Sequence, residues 1–207
     1  TGSLDQVDFK IILMLCLSAV LTLLTFPFIY VCEKVFNLIS DLSLLEYADT
    51  NTELLRKLAK EAPGTFHHSL QVSHLCESVA IEIDANPLLV RAGALYHDIG
   101  KLSNPNFFIE NQSASFNPHD DLSFDESAKL IIDHVIDGIE IAKKYNLPDQ
   151  LTDFIRTHHG DYLMQYFYKE YLKNFPDNED EKKFRYPGPK PFNKETAILM
   201  MCDSVEA

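Results

Sequence analysis

The clearest feature of the hydrophobic pattern lies near the start of the chain. From Ile11 to Val31 no charged residue occurs, with Lys10 before the run and Glu33-Lys34 after it. As a helix, such a run is long enough to cross a hydrocarbon core, and it lacks the polar face of a buried core helix. A secretory leader would have a shorter apolar region followed by a small-residue cleavage site. The pattern predicts a transmembrane helix over 11–32, bent near its end by Pro27, with a tag or linker over 1–10. The flanking charges are mixed and do not orient the span.

Beyond it the apolar positions recur at helical spacing almost to the last residue. Leu44, Leu45, Leu54, Leu55 and Leu58 form a stripe in a helical linker over 33–60, which Pro63-Gly64 interrupts. Val72, Leu75, Cys76, Val79, Ala80 and Ile83 define the next helix, and His68 shares its buried face. A helix over 87–98 follows, ended by Gly100. Residues 102–122 read as a long loop held by Phe107, Phe108 and Ile109, an anchor for a lid. Ser123 and Glu126 form a capping box that opens a helix through Leu130, Ile131, His134, Val135, Gly138, Ile139 and Ala142. Pro148 suits the first turn of a helix reaching His158-His159-Gly160. Further helices are expected over 161–173 and 195–206. Between them, 174–193 is an acidic and then proline-rich excursion, its acidic residues at 178–181 facing solvent. No strand pattern or internal repeat occurs, so the expected class is all-α.

Charge narrows the chemistry. The formal net charge of -13 argues against a DNA or RNA polymer as partner. A phosphate substrate on so acidic a chain needs a local source of positive charge, and bound metal supplies one. Cys16, Cys32, Cys76 and Cys202 show no CxxC spacing and read as free thiols of a reducing compartment. The histidines carry more information. His68, His97, His134, His158 and His159 fall on buried helix faces or at helix ends, together with Asp98 and Asp203. Burying so many uncoordinated imidazoles is costly. Nitrogen and carboxylate donors without thiolate suit Fe, Mn, Zn or Co.

The ordered series of His68, His97-Asp98, His134, His158-His159 and Asp203 resembles the HD-domain metal phosphohydrolases in their two-metal form. Several phrases narrow the resemblance: Pro63-Gly-Thr-Phe-His-His-Ser69, Ala94-Leu-Tyr-His-Asp-Ile-Gly-Lys101, Phe107-Phe-Ile-Glu-Asn-Gln112, Asn117-Pro-His-Asp120, Phe184-Arg-Tyr-Pro-Gly-Pro-Lys-Pro191 and Asp203-Ser-Val-Glu-Ala207. These are similar to the cytoplasmic domain of the bacterial seven-transmembrane HD receptors, which hydrolyse cyclic di-AMP to pApA. The resemblance implies an HD-domain helical bundle over 61–207, continued by further helices beyond Ala207. It makes the apolar helix the last span of a longer membrane protein whose HD domain faces the cytoplasm.

Carried over by motif position, one metal falls to His68, His97, Asp98 and Asp203. A second falls to His134, His158 and His159, with Asp98 bridging. Two divalent transition metals per chain are implied, Fe or Mn, with a hydroxide between them as nucleophile. Asp98 and Lys101 are the candidate catalytic residues. Lys101, His119, Arg185 and Tyr186 are candidates for substrate contact: Lys101 as a phosphate contact or polar partner of the bridging water, or else a solvated surface lysine; His119 as a loop residue otherwise structural; Arg185 as a cation and Tyr186 as an aromatic face, or else parts of a segment that only packs over the domain. His67 and His74 are read as exposed or structural. A homodimer is compatible with the family. Two alternatives stand beside the cyclic di-AMP phosphodiesterase: a silent membrane receptor that only binds a cyclic dinucleotide, and a generic HD nucleotide phosphohydrolase.

Overall fold

The computed structural model describes residues 9–112, 117–176 and 180–206. The chain separates into two compact units, Thr1–Ser40 and Asp41–Ala207. In the first, the apolar run forms one helix, α1 (Phe9–Phe36), with Pro27 inside it and no residue buried. The mean hydropathy of its most apolar window is 2.4, so length and composition suit a bilayer crossing. Thr22 and Thr25 turn their hydroxyls back onto Ser18 and Leu21 carbonyls at 2.9 and 3.2 Å, which satisfies them without water. The helix runs past the expected end at 32 and stops where Asn37 takes a left-handed φ of 50°, a conformation asparagine tolerates at helix ends.

The second unit is helical: α2 (Asp41–Tyr47), α3 (Glu53–Glu61), α4 (Pro63–Glu82), α5 (Pro87–Tyr96), α6 (Phe124–Lys144), α7 (Asp149–Thr157), α8 (Gln165–Asn174) and α9 (Lys194–Glu206). Residues 33–60, expected as one helical linker, therefore fall on both sides of the division. Leu44, Leu54, Leu55 and Leu58 are buried, because α2 packs on α5 and α3 on α4. Leu45, expected in the same stripe, faces outward.

The central core joins Val72, Cys76 and Ala80 of α4 to Val90 and Ala94 of α5, Phe154 of α7, and Ile198, Leu199 and Cys202 of α9. Asn86 caps α5 by accepting from Leu89 N–H at 3.0 Å, with Pro87 in the first turn. The capping box of α6 is formed as expected, Ser123 and Glu126 bonding reciprocally. Helix α4 has no capping side chain of its own, since Ala62 stands at that position. Asn111 supplies the cap from the far side of the fold, accepting from Gly64 and Thr65 N–H at 2.9 and 3.2 Å.

Two expected irregular segments are more ordered than the pattern suggested. The 102–122 stretch is largely a series of single 3₁₀ turns, Ile99–Ser103, Pro105–Phe107, Ile109–Asn111 and Pro118–Asp121. Prolines at the first position of two of them preset the backbone; residues 113–116 lie outside the described residues. In the excursion over 174–193, Phe184 is fully buried with Ala128 and Tyr171. Its neighbours pair with 162–164, through Met164 N–H to Phe184 at 2.8 Å and Tyr186 N–H to Tyr162 at 3.0 Å. That pairing delays the expected 161–173 helix until Gln165. Part of the 178–181 acidic run lies outside the described residues; Glu181 pairs with Arg185.

One close approach sets the rest. Gly100, in the turn after α5, lies against α6 so tightly that a Cβ there would stand 1.8 Å from the His134 carbonyl oxygen and 2.6 Å from Gly138 N. Gly138 is itself pressed by Ile155 of α7, whose Cγ2 would stand 2.7 Å from a Cβ there. A Gly100→Ala substitution is expected to cost roughly 3 kcal/mol or more in chemical denaturation of the chain, because the obstruction is backbone rather than a flexible side chain.

Candidate metal centre

The two central residues occupy the end of α5. His97 retains helical angles, while Asp98 (φ -106°, ψ 15°) leaves the helix. Neighbouring side chains on a continuous helix diverge by about 100°; the departure at Asp98 lets both face one interior point. They are 0% and 2% exposed. His68 arrives from α4, His134 from α6 and Asp203 from α9. His158 and His159 follow the last turn of α7, where Gly160 at φ 52° turns the chain away.

The Asp98 carboxylate divides its oxygens between two groups. Oδ1 lies 3.4 Å from His134 Nε2 and 3.6 Å from His158 Nε2. Oδ2 lies 3.2 Å from His97 Nε2, 3.7 Å from His68 Nε2 and 2.7 Å from Lys101 Nζ. Asp203 Oδ1 joins the second group at 3.0 Å from His68 Nε2 and 3.6 Å from His97 Nε2. The donor atoms of His134, His158 and His159 lie within 4.8 Å of one another, as do those of His68, His97 and Asp98.

The imidazoles are held by their outer nitrogens. Nδ1–H of His97, His134 and His158 donates to the carbonyls of Ala94, Ile131 and Ile155 at 2.7, 2.5 and 2.8 Å. That leaves the Nε2 lone pairs pointing inward. His134 and His158 then face each other, Nε2 to Nε2, at 3.1 Å. His97 Nε2 and Asp98 Oδ1 are buried and lack a hydrogen-bond partner. Orphaned buried acceptors are costly, and a cation beside each removes the cost. The residues present therefore fit metal, through nitrogen and carboxylate donors without thiolate.

The electrostatics agree. Burial would push the Asp98 carboxyl up, but His97, Lys101 and the rings of His134 and His158 hold it well below the usual range. Asp203 is likewise held low against its burial by His68 and His97. Burial opposes charge on His97, yet Asp98 and Asp203 outweigh it and raise its pKa to about 10. This side of the cluster attracts positive charge, as a proton or as a metal ion. Burial pushes His158 down and His159 well down, so both stay neutral, the ligating form.

Lys101 is half-buried, its side chain 13% exposed, and bonded to Asp98 and, at 2.8 Å, to Glu110, a pairing that counts against the reading of it as a solvated surface lysine. Its Nζ also sits 5.0 Å from the Phe108 ring centroid, and Phe108 meets His134 edge-on. Tyr186 stacks on His159 at 4.2 Å and 27°. Arg185 turns away: its guanidinium binds Glu181 and the Asp161 carbonyl. His119 Nε2 bonds the Phe107 carbonyl at 2.9 Å, tying the 3₁₀ turns together. His67 and His74 are exposed. A hollow of about 420 Å³ opens onto His68, Asp98, Lys101, His159 and Asp203, with Ile109, 84% exposed, among its lining residues. Two participants were not picked out from the pattern. Glu110 bonds Lys101 and Thr65, and no sequence spacing announces it. Glu206 bonds His68 Nδ1, and its place one turn beyond Asp203 is a signal that a helix-face reading contains.

A converging cluster of this kind, in an all-helical unit, defines a class. The family model of the HD domain matches residues 65–207, and the chain belongs to the HD-domain family. It is 45% identical over 190 residues to the cyclic-di-AMP phosphodiesterase PgpH of Bacillus subtilis (strain 168), covering 92% of this chain and 26% of that protein. It is 46% identical over 175 residues to the protein of the same name from Listeria monocytogenes, covering 84% of this chain and 24% of the relative. The chain thus spans about a quarter of the length of these curated relatives. The crystal structure of the L. monocytogenes PgpH HD domain in complex with cyclic-di-AMP superposes with a TM-score of 0.73 at 46% identity, over 76% of this chain and 73% of that one.

The Glu110–Lys101 pair carries a pH signature. Burial would raise the Glu110 carboxyl, but Lys101 lowers it from the ordinary 4.5. A lowered folded-state pKa stabilises above the unfolded value, and the contribution is lost as pH falls through the folded one. Glu110→Gln is expected to cost about 1 kcal/mol at pH near 7, allowing for partial exposure. The gap between wild type and variant in urea denaturation is expected to close progressively below the ordinary glutamate value.

Proposed function

We propose that this chain is the catalytic part of a membrane-anchored, metal-dependent phosphodiesterase that hydrolyses cyclic di-AMP to pApA. The observation that carries the proposal is the Asp98 carboxylate, whose two oxygens face two separate imidazole groups. The substrate rests on the likeness to the named cyclic-di-AMP phosphodiesterases and to the HD domain crystallised with that nucleotide.

In this reading His68, His97, Asp98 and Asp203 hold one cation. His134, His158, His159 and the other oxygen of Asp98 hold a second, with Fe or Mn the metals such donors suit. When bound, the pair supplies an activated water and neutralises charge developing at phosphorus. The rest falls to the chain. Asp98 sets the spacing of the two groups. Lys101, kept protonated because Asp98 and Glu110 overcome the penalty of its burial, places a fixed positive charge on the wall of the hollow, where a phosphate oxygen can accept from it. Tyr186, whose hydroxyl is kept protonated by burial, holds the His159 ring by stacking and offers a donor to substrate. Arg185 is directed to Glu181 and His119 Nε2 to the Phe107 carbonyl, and neither is among the residues lining the hollow, so no direct substrate contact is assigned to them. Water adds across one P–O3′ bond, leaving a free hydroxyl and a terminal 5′-phosphate. Helix α1 anchors the protein in lipid, and the second unit works in the cytoplasm.

The test is turnover with metal analysis. The chain in detergent, supplied with Mn or Fe, is incubated with cyclic di-AMP beside cyclic di-GMP. Two metals per chain and metal-dependent release of pApA are expected. Asp98→Ala is expected to lower turnover by roughly 1,000-fold or more and to deplete both metals. His158→Ala is expected to deplete one. Tight binding of cyclic di-AMP without hydrolysis at full metal occupancy would refute the phosphodiesterase and leave a receptor.

A further inference from the structure

The inner imidazoles are not all oriented in the same way. His97, His134 and His158 each donate Nδ1–H to a carbonyl of their own helix, one turn back. His68 has no such bond. Its Nδ1 meets the carboxylate of Glu206, from the last turn of α9, while its Nε2 faces Asp203 from the same helix. The ring is gripped between two carboxylates, one turned toward the cluster and one away from it.

The register of two helices produces this grip. His68, Val72 and Cys76 lie one above another along α4, and Leu199, Cys202 and Glu206 do the same along α9. Val72, Cys76, Leu199 and Cys202 interlock in the central core, so the packing that holds α4 on α9 also sets Glu206 against His68. The Glu206 side chain is only 23% exposed there.

We infer that Glu206 is a positioning residue, fixing His68 in the Nδ1–H tautomer so that its Nε2 lone pair is presented to a cation. The inference rests on the metal-centre reading above. A carboxylate behind a ligating imidazole orients the ring and raises its basicity, and losing such a partner costs about 10- to 100-fold in metal affinity. His97, His134 and His158 take a neutral carbonyl in that place. Glu206 thereby makes one half of the centre depend on the register of α9 against α4.

Two measurements on the full chain in detergent test this. In protein labelled at histidine and loaded with Zn as a diamagnetic probe, the ring-nitrogen chemical shifts of His68 are expected to report a protonated Nδ1 and a metal-bound Nε2 in wild type and in Glu206→Gln, whose amide oxygen still accepts. Glu206→Ala is expected to give a mixture. In competition titrations with Mn, Glu206→Ala is expected to weaken one metal about 10- to 100-fold and leave the other unchanged, with Glu206→Gln staying within about threefold of wild type. Equal affinity and an unchanged tautomer in Glu206→Ala would overturn the inference while leaving the metal centre intact. A Glu206→Gln variant as weak as Glu206→Ala would overturn it in favour of Glu206 as a direct ligand. A wild type that binds no metal would remove the reading beneath it, a result distinct from either.

Discussion

The constraint on which the second unit depends is the burial of one carboxylate, Asp98, between two sets of imidazoles. A carboxylate at 2% exposure is tolerable only when positive charge is delivered to it. Lys101 delivers some from one side. The remaining oxygen, Oδ1, has no hydrogen-bond partner and looks at His134 and His158. The surrounding side chains come from five helices or their ends, α4, α5, α6, α7 and α9, so the bundle must close around this point before the charge is compensated.

The scaffold is built to allow that closure. Gly100 lets the turn bearing Asp98 touch α6 backbone to backbone, which brings His134 within reach, and Gly138 leaves room for Ile155 of α7. Gly93 makes similar room for the Phe154 ring of α7, the helix that ends at His158. Asn111 caps α4 from a distant turn, and the neighbouring Glu110 bonds Thr65 of α4 and Lys101. One short segment thus ties the entrance of α4 to the cation beside Asp98. Packing and electrostatics meet in the same residues.

The charge balance of the chain follows the same logic. A chain with a formal net charge of -13 repels anions at long range. A site for a phosphate ester, as proposed, therefore needs positive charge concentrated at one place. Lys101 provides a fixed point charge, and the histidine–carboxylate cluster provides places for cations that bring more. Burial keeps His158 and His159 neutral, so their lone pairs remain available at neutral pH.

By itself the sequence determined the helical class, because apolar periodicity at helical spacing is a local property that each segment carries within it. It determined the apolar helix for the same reason, and it marked His68, His97, Asp98, His134, His158, His159 and Asp203 as a set through buried-face positions and family phrases. Tertiary structure decided what depends on distance between remote segments. Asp98 faces two groups because α5 ends where it does against α6; Lys101 is drawn in beside it because Glu110 comes back to pair with it; Arg185 turns to Glu181 rather than inward. The 33–60 stretch divides at a left-handed Asn37, and its leucines find α4 and α5, partners that no local pattern names. Glu206 reaches His68 only because α9 packs on α4 in one register. Local periodicity specifies which face of a helix is buried, and only the packed bundle specifies what that face will touch.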